Sequence, residues 1–218
     1  MSRRFDLLVF DWDGTLMDSA ACIASSLQAA CADLGLNVPS ERDARYVIGL
    51  GLNDALAHVL PGVAATEYPR VVERYRHHFL QGDSATALFA GGAELIRELH
   101  QAGRLLAVAT GKSRRGLDRA LAATRLAPFF HATACADEGY SKPHPGMLHK
   151  LLEQLDVAAE RALMIGDTTH DMQMARSAGV ARLAVGHGAH EACDLLQHAP
   201  LACVRDCEEL RAWLADHG

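Results

Sequence analysis

The chain has 218 residues, half of them hydrophobic, and a formal net charge of −6. This length suits one good hydrophobic core, or a core domain with a small second one. The charge argues against a nucleic-acid surface, because neutralising a phosphate backbone takes a basic stripe, although a compact phosphate could still bind locally. No apolar run approaches the roughly 18 residues of a membrane helix. We therefore expect neither nucleic acid nor membrane as a partner.

The six cysteines are scattered among helical and apolar stretches of a chain too large to need disulfides. We expect reduced thiols in a cytoplasmic protein. Cys203 and Cys207 are four residues apart, a spacing that would place both on one helix. No second pair of ligands accompanies them, so the sequence does not favour a metal site there.

Short apolar runs alternate with helical patterns along most of the chain. The runs predict strands over residues 7–10, 105–109, 132–135, 162–165 and 181–185. The patterns predict helices over residues 92–102, 114–123, 145–155 and 169–178. This alternation predicts an α/β fold, a Rossmann-like parallel sheet with helices on both faces and right-handed crossovers. Such sheets bind ligands at the carboxyl ends of their strands.

The first predicted strand ends at two carboxylates, Asp11 and Asp13. In an extended segment both can face one way while Trp12 faces the other. Like charges this close repel, so the pair is costly unless a cation, a proton or a reaction intermediate neutralises it. Its chemical uses are a metal site and a nucleophile with an acid/base partner. The simpler alternative is a solvated Asp-Gly turn after a strand.

Between the first two strands the pattern is almost wholly helical. It predicts helices over residues 19–34, 41–47, 52–60 and 66–81. Asp18 or Ser19 would cap the first of these helices, and Gly35 would stop it. So long a connection is more typical of a separate unit than of a loop. We expect a helical cap domain, residues 17–87, inserted into a core domain made of residues 1–16 and 88–218, with its tethers close enough to Asp11 for it to act as a lid.

Polar residues follow the second and third strands. Thr110 and Gly111 come before a predicted helix, where backbone N–H groups and the helix dipole favour an anion. Lys142 lies in a Ser-Lys-Pro-His-Pro segment, and an ammonium held in this rigid segment would bind a phosphate oxygen. The simpler alternatives are a helix cap at Thr110 and a solvated surface lysine at Lys142.

Two carboxylates follow the fourth strand, Asp167 at its end and Asp171 one helical turn further on the same face. With Asp11 and the backbone of Asp13, they give the all-oxygen ligand set that Mg²⁺ prefers. The simpler alternative is that Asp167 or Thr168 is only an N-cap. Because these clusters lie at the carboxyl ends of parallel strands, we expect them to converge on one crevice.

In this order the motifs resemble those of the haloacid dehalogenase superfamily. Residues 11–16 (DWDGTL) match its DxDGT motif, Thr110 its second motif, Lys142 its third, and residues 166–171 its GDxxxD motif. The resemblance covers essentially the whole chain, and the helical insert is similar to the superfamily's type C1 cap.

The resemblance implies a Mg²⁺-dependent phosphatase that hydrolyses a small phosphomonoester, phosphoglycolate-like or a sugar phosphate, through an aspartyl-phosphate. Asp11 would be the nucleophile, and Asp13 would protonate the leaving group and then deprotonate water. The metal would be held by Asp11, the Asp13 carbonyl and Asp167, with Asp171 orienting metal waters. Three residues would bind the substrate phosphate: Thr110, Gly111 and Lys142. We expect a small phosphorylated metabolite as the partner, and a monomer or weak homodimer.

Parts of the chain resemble phosphoglycolate phosphatase-like enzymes more closely, namely Arg45 and residues 48–51 (IGLG). Gly111 departs from them, since they often carry Asn there, and this puts that substrate in doubt. Arg114 and Arg115 would face an acidic substrate or cap a solvated helix, and the second role is favoured. His144 is expected at the surface or behind the site. No role is assigned to two histidines expected near the crevice: His187 and His190.

Other functions compete with hydrolysis. A sugar phosphomutase shares this core but needs a cap that excludes water and supplies an acid/base group. Nothing in the insert clearly does so, because His58, His77 and His78 are expected on solvated helix faces. A degenerate homologue, serving as a binding or regulatory module, would have lost a motif residue, and all are intact. Dehalogenase chemistry is disfavoured because it does not need Asp13.

Overall fold

The structure is a computed structural model, and it describes residues 4–82 and 86–217. The ends of the expected core domain, residues 1–3 and 218, and residues 83–85 of the expected cap lie outside the described residues. Six parallel strands form a sheet of order β3-β2-β1-β4-β5-β6. The strands are β1 (Leu7–Phe10), β2 (Leu105–Thr110), β3 (Ala132–Cys135), β4 (Ala162–Gly166), β5 (Ala181–Val185) and β6 (Cys203–Val204).

Among the described residues, the insert between β1 and β2 contains four α-helices, and six more α-helices belong to the rest of the chain. Those of the insert are α1 (Ala20–Asp33), α2 (Glu41–Tyr46), α3 (Leu52–Val59) and α4 (Tyr68–Gly82). The others are α5 (Gly92–Gln101), α6 (Arg114–Thr124), α7 (Gly146–Leu155), α8 (Thr169–Ser177), α9 (Ala192–Leu196) and α10 (Cys207–His217).

Helices cover both faces of the sheet, which explains why its central strands are continuous apolar runs. In β1, Leu8 and Phe10 face one hydrophobic cluster, which is completed by α5, α6 and α10. Leu7 and Val9 face a second cluster, completed by α7 and α8. All four side chains are fully buried. The α/β fold with a Rossmann-like parallel sheet is therefore confirmed.

The insert has a hydrophobic cluster of its own, which explains how a helical unit can stand apart from the sheet. Residues from α1 to α4 pack together there, among them Leu27, Cys31, Ala44, Leu56 and Val71. The helical insertion after β1 is thus confirmed, while the domain boundaries at residues 16–17 and 87–88 stay a prediction.

The two ends of the insert pair with each other beside the end of β1. The Asp18 N–H donates to the Ala87 carbonyl at 2.9 Å, and the Phe89 N–H donates to the Leu16 carbonyl at 2.9 Å. An isolated antiparallel bridge joins Met17 to Leu88 between these bonds. The tethers therefore leave the core together, a few residues after Asp11.

The five predicted strands are confirmed, and the predicted helices end within about two residues of those observed. Three elements near the end of the chain were not predicted: α9, β6 and α10. The shared helix suggested for two cysteines is wrong, because Cys203 lies in β6 and Cys207 begins α10. All six cysteines are free thiols. Among the described residues no helix combines the length and apolarity that a membrane span requires.

Arg114 links the start of α6 to the segment after β3. Its guanidinium donates to both carboxylate oxygens of Glu138, at 2.8 and 3.1 Å, and to the Thr133 hydroxyl at 2.9 Å. The favoured expectation of a solvated helix cap is therefore wrong for Arg114, which is only partly exposed. Its bonds hold the pKa of Glu138 at about 2, well below its usual value.

We expect Glu138→Gln to lower the free energy of unfolding at neutral pH by about 1 kcal/mol. The pKa of Glu138 is lowered from 4.5 to about 2 in the folded state. The pair of Arg114 and Glu138 therefore stabilises the folded state fully above pH 4.5, and this stabilisation is lost as pH falls towards 2. Urea unfolding over a pH series should show the difference shrinking in acid. Glu94→Gln, which removes a long exposed pair with Arg97, is the control. An equal Glu138→Gln effect at pH 3 and pH 7 would contradict the assignment.

Candidate active site

The sheet register brings the strand-end motifs together. Phe10, the last residue of β1, pairs with Val108 in β2 and Ile165 in β4. Asp11, Thr110 and Asp167 follow these positions by one or two residues, so all three lie at the same edge of the sheet. The expected crevice is therefore present at the carboxyl ends of the strands.

Three buried carboxylates form the centre of the site. Oxygens of Asp11, Asp167 and Asp171 lie within 4.8 Å of one another, and the three residues are fully buried. The Lys142 ammonium, also buried, lies 2.8 Å from Asp11 Oδ1 and 2.7 Å from Asp171 Oδ1. This ammonium thus pairs with two of the three carboxylates. The solvated alternative for Lys142 is wrong.

Burial dominates the electrostatics of this cluster. It raises the pKa of Asp11 well above its usual value, and the Lys142 charge opposes it only in part. It also raises the pKa of Asp167 to about 7, helped by the Asp171 charge. Burial by itself would lower the pKa of Lys142, but the charges of Asp11 and Asp171 outweigh it and raise that pKa. The cluster therefore favours the binding of a further positive charge or a proton.

Asp11 has one oxygen engaged and one without a partner. Oδ1 accepts the Trp12 N–H at 2.6 Å and pairs with Lys142. Oδ2 is buried and has no hydrogen-bond partner among the described residues. A carboxylate oxygen that is buried without a hydrogen-bond partner destabilises the folded state, unless a cation or an electrophile binds it. The donor set is all oxygen, so these residues fit a hard cation such as Mg²⁺.

Neighbouring residues fix the other two carboxylates. Asp167 accepts the Thr15 hydroxyl at 2.6 Å on Oδ1 and the Ala189 N–H at 2.8 Å on Oδ2. Asp171 Oδ2 accepts the hydroxyl and the N–H of Thr168, at 2.7 and 3.1 Å. Thr168 is the N-cap of α8, so the simpler alternative holds for Thr168 and not for Asp167. The sequence had not indicated Thr15 or Ala189 as partners.

Glycines let the backbone approach these carboxylates. Gly14 has φ +81°, and a Cβ there would overlap the Asp167 carboxylate. A Cβ at Gly188 would overlap the Asp167 side chain as well. The glycine after Asp13 in the first motif is therefore required both by its backbone conformation and by space.

Asp13 lies beside the cluster, facing a cleft between the insert and the sheet. Its Oδ1 accepts the Ser19 hydroxyl at 2.6 Å and pairs with Lys112 Nζ at 2.9 Å. Ser19 precedes α1 as expected, but its hydroxyl bonds Asp13 instead of capping the helix. Thr110 is fully buried and does not cap α6, because Ser113 has that role. Lys112 was visible in the second motif, two residues after Thr110, but was given no function.

The cleft has a volume of about 640 Å³, within the range of small-molecule pockets. On the core side it is lined by Asp11, Asp13, Thr110 and Gly111. On the insert side it is mainly apolar, with Ile23, Leu27, Val72 and Phe79. The cleft therefore joins a charged floor to an apolar roof.

The insert touches the core beside this cleft. The Tyr46 carbonyl accepts hydrogen bonds from Nε2 of His170 at 2.8 Å and of His190 at 3.0 Å. A Cβ at Gly111 would come within 2.5 Å of the Leu50 carbonyl oxygen of the insert. The departure at Gly111 thus has a physical reason, since an asparagine would not fit beneath the insert in this position.

The remaining candidates have different surroundings. Arg115 lines the cleft, and Arg45 pairs with Glu41 on the insert at 3.2 Å. His187 lies within 3.1 Å of the Thr15 and Arg205 carbonyl oxygens. His58, His77 and His144 are exposed, as expected. His78 is only partly exposed, and its Nε2 lies 2.8 Å from Asp33 Oδ2.

Comparisons with known proteins identify the family. The family model described as haloacid dehalogenase-like hydrolase matches residues 8–185. A probable phosphatase, IndB, of Dickeya dadantii is 33% identical over 209 residues, covering 94% of this chain and 91% of that protein. A phosphoglycolate phosphatase of Vibrio cholerae is 30% identical over 195 residues, covering 85% and 86%.

A solved structure agrees with this result. A haloacid dehalogenase-like family hydrolase from Streptococcus pneumoniae superposes with a TM-score of 0.82 at 26% identity, covering 96% of this chain and 98% of that one. Both the match of sequence and the match of fold extend across the sheet, the insert and the buried carboxylates. The chain therefore belongs to the haloacid dehalogenase-like hydrolase family.

Proposed function

We propose that the chain is a Mg²⁺-dependent phosphatase that hydrolyses a small phosphomonoester through an aspartyl-phosphate on Asp11. The observation that carries the proposal is the buried cluster of Asp11, Asp167 and Asp171 against the single ammonium of Lys142. Relatives named as phosphatases support it. The cleft leaves room for a phosphoglycolate-like substrate or a sugar phosphate.

In the first step an Asp11 oxygen attacks phosphorus and the ester P–O bond breaks. The leaving oxygen takes a proton from Asp13, which lies at the cleft with its Oδ1 already held by two donors. Proton transfer of this kind suits a carboxyl group placed beside, and not within, the nucleophile's cluster. The step leaves an aspartyl-phosphate and a neutral alcohol.

In the second step Asp13 takes a proton from water, and the water oxygen attacks phosphorus. The bond from phosphorus to Asp11 breaks, which restores both carboxyl groups and releases inorganic phosphate. Thr110, Gly111 and Lys142 would bind the phosphoryl oxygens during both steps. Phosphoryl transfer needs mostly positioning and charge compensation, so these few groups suffice.

Mg²⁺ would be held by Asp11, Asp167 and the Asp13 carbonyl, and when bound it compensates the charge of the transferring group. Asp171 bonds Thr168 and pairs with Lys142, a placement that fits a supporting role towards metal waters. The helical insert would be the cap that covers the cleft and excludes water.

The test is release of inorganic phosphate from a panel of small phosphomonoesters, including p-nitrophenyl phosphate, phosphoglycolate and sugar phosphates. We expect turnover with Mg²⁺, its loss with a chelator, and its return when Mg²⁺ is restored, because the cluster lacks compensating charge. Activity unchanged by chelation would contradict the metal proposal. Isomerisation of a bisphosphate-primed sugar phosphate without phosphate release would show a mutase instead.

A further inference from the structure

Lys112 contacts the residue proposed to transfer protons. Its Nζ lies 2.9 Å from Asp13 Oδ1, and the two side chains are only 12% and 11% exposed. The Ser19 hydroxyl donates to the same oxygen at 2.6 Å. Because both donors bond Oδ1, they orient the carboxyl group and leave Oδ2 as the oxygen that exchanges a proton.

The same ammonium also contacts the insert. Lys112 Nζ lies 5.0 Å from the centre of the Phe79 ring, a cation–π contact with a buried residue of α4. At its other end, the Lys112 N–H donates to the Thr110 hydroxyl at 3.2 Å. Its backbone N–H therefore bonds the end of β2, while its side chain joins Asp13 to the insert.

We propose that Lys112 is a positioning residue for proton transfer by Asp13, and that Phe79 makes its position depend on the insert. This inference rests on the proposed phosphatase function. When Asp13 gives its proton to the leaving oxygen, negative charge develops on its carboxylate. The adjacent ammonium stabilises that charge, and the Phe79 ring shields the pair from water, which strengthens the interaction.

The effect of Lys112 must then depend on the leaving group. A p-nitrophenolate ion leaves without a proton, whereas a phenolate ion is more basic and is helped by one. A lysine that instead bound the phosphoryl group would affect both esters alike. A lysine that bound the leaving group itself would mainly change KM and not kcat. The comparison of two esters therefore separates these roles.

The experiment measures kcat/KM for phenyl phosphate and for p-nitrophenyl phosphate in the full chain with Mg²⁺. We use kcat/KM because it reports the steps up to and including cleavage of the ester bond. We expect Lys112→Met to lower it about tenfold to a hundredfold for phenyl phosphate and less than about threefold for p-nitrophenyl phosphate. Phe79→Leu should lower kcat/KM about threefold for phenyl phosphate and by less for p-nitrophenyl phosphate. Lys112→Arg should restore part of the loss. Lys150→Met, which removes an exposed ammonium paired with Glu138, is the matched control.

Inhibition by inorganic phosphate should be unchanged in Lys112→Met, because Lys112 is assigned to Asp13 and not to the phosphoryl group. Equal losses on both esters, a weaker inhibition by phosphate, or no loss at all would overturn the proposal. A leaving-group pattern in Lys112→Met without one in Phe79→Leu would overturn the link to the insert. Should Lys112→Met fail to fold, the ratio of the two esters in Lys112→Arg and Phe79→Leu decides. If the unchanged protein cleaves neither aryl ester, two esters of the panel that it does cleave, with leaving groups of different basicity, take their place. If it releases phosphate from no ester of the panel, the proposed function itself fails.

Discussion

Asp11→Asn is expected to lower phosphate release by about a thousandfold or more, because it removes the proposed nucleophile while keeping the shape of the side chain. Asp11 is fully buried at the end of β1, and its Oδ2 has no partner among the described residues. Both oxygens of Asp167 accept hydrogen bonds, from Thr15 and Ala189, whereas Asp171 bonds Thr168 on one oxygen and pairs with Lys142 on the other. The measurement is kcat for p-nitrophenyl phosphate with saturating Mg²⁺.

Loss of folding would not explain this result. The substitution removes one negative charge from a cluster that has too many, and Lys142 keeps its pair with Asp171 at 2.7 Å. The thermal midpoint of Asp11→Asn, measured without metal, should therefore not fall below that of the unchanged protein. Asp33→Asn, on the outside of α1, is the control and should keep full activity. Turnover by Asp11→Asn above about a tenth of normal would rule out Asp11 as nucleophile.

A phosphorylated intermediate gives an independent readout. Protein quenched in acid during turnover should yield a phosphorylated peptide that contains Asp11. Asp11→Asn should yield none, even where traces of activity persist. Phosphorylation found at another carboxylate would contradict the assignment, whatever the rate.

The sheet and the strand-end clusters could be predicted because they follow from local pattern and a general rule. Runs such as residues 7–10 and 162–165 are apolar throughout because both faces of the sheet are covered. Parallel strands place their carboxyl ends at one edge, so Asp11 and Asp167 meet although they are far apart in sequence. β6 escaped prediction because two residues carry no usable pattern.

The contacts between the insert and the core could not be predicted in the same way. Lys112 meets Phe79, and Tyr46 meets His170 and His190, only because the insert docks in this position. No periodicity records such docking, since each residue taken alone fits an ordinary helix or loop. The sequence therefore indicated the floor of the cleft and, in residues 48–51, part of its roof, but not the contacts of Lys112 and Tyr46 that link the two.

Without metal, the Asp167→Asn variant is expected to become more stable than the unchanged protein as pH rises. Burial, then the charge of Asp171, raises the pKa of Asp167 from 3.8 to about 7 in the folded state. Between pH 3.8 and about 7, Asp167 is therefore protonated in the folded state and ionised in the unfolded state. The free energy of unfolding falls as pH rises through that range. Asparagine cannot ionise, so it escapes this loss. The difference should be absent near pH 4 and reach about 2 to 4 kcal/mol above pH 7.

Urea unfolding in the presence of a chelator, at several pH values between 4 and 8, measures this difference. Asp33→Asn is the control with the opposite sign, because hydrogen bonds from Arg74 and His78 lower the pKa of Asp33. Mg²⁺ should then stabilise the unchanged protein, by binding the folded state alone, and have much less effect on Asp167→Asn. A pH-independent difference would mean that Asp167 is not held at a raised pKa. Equal stabilisation of both proteins by Mg²⁺ would mean that the ion binds elsewhere, because removal of a negative charge from the proposed site would weaken its binding of a cation.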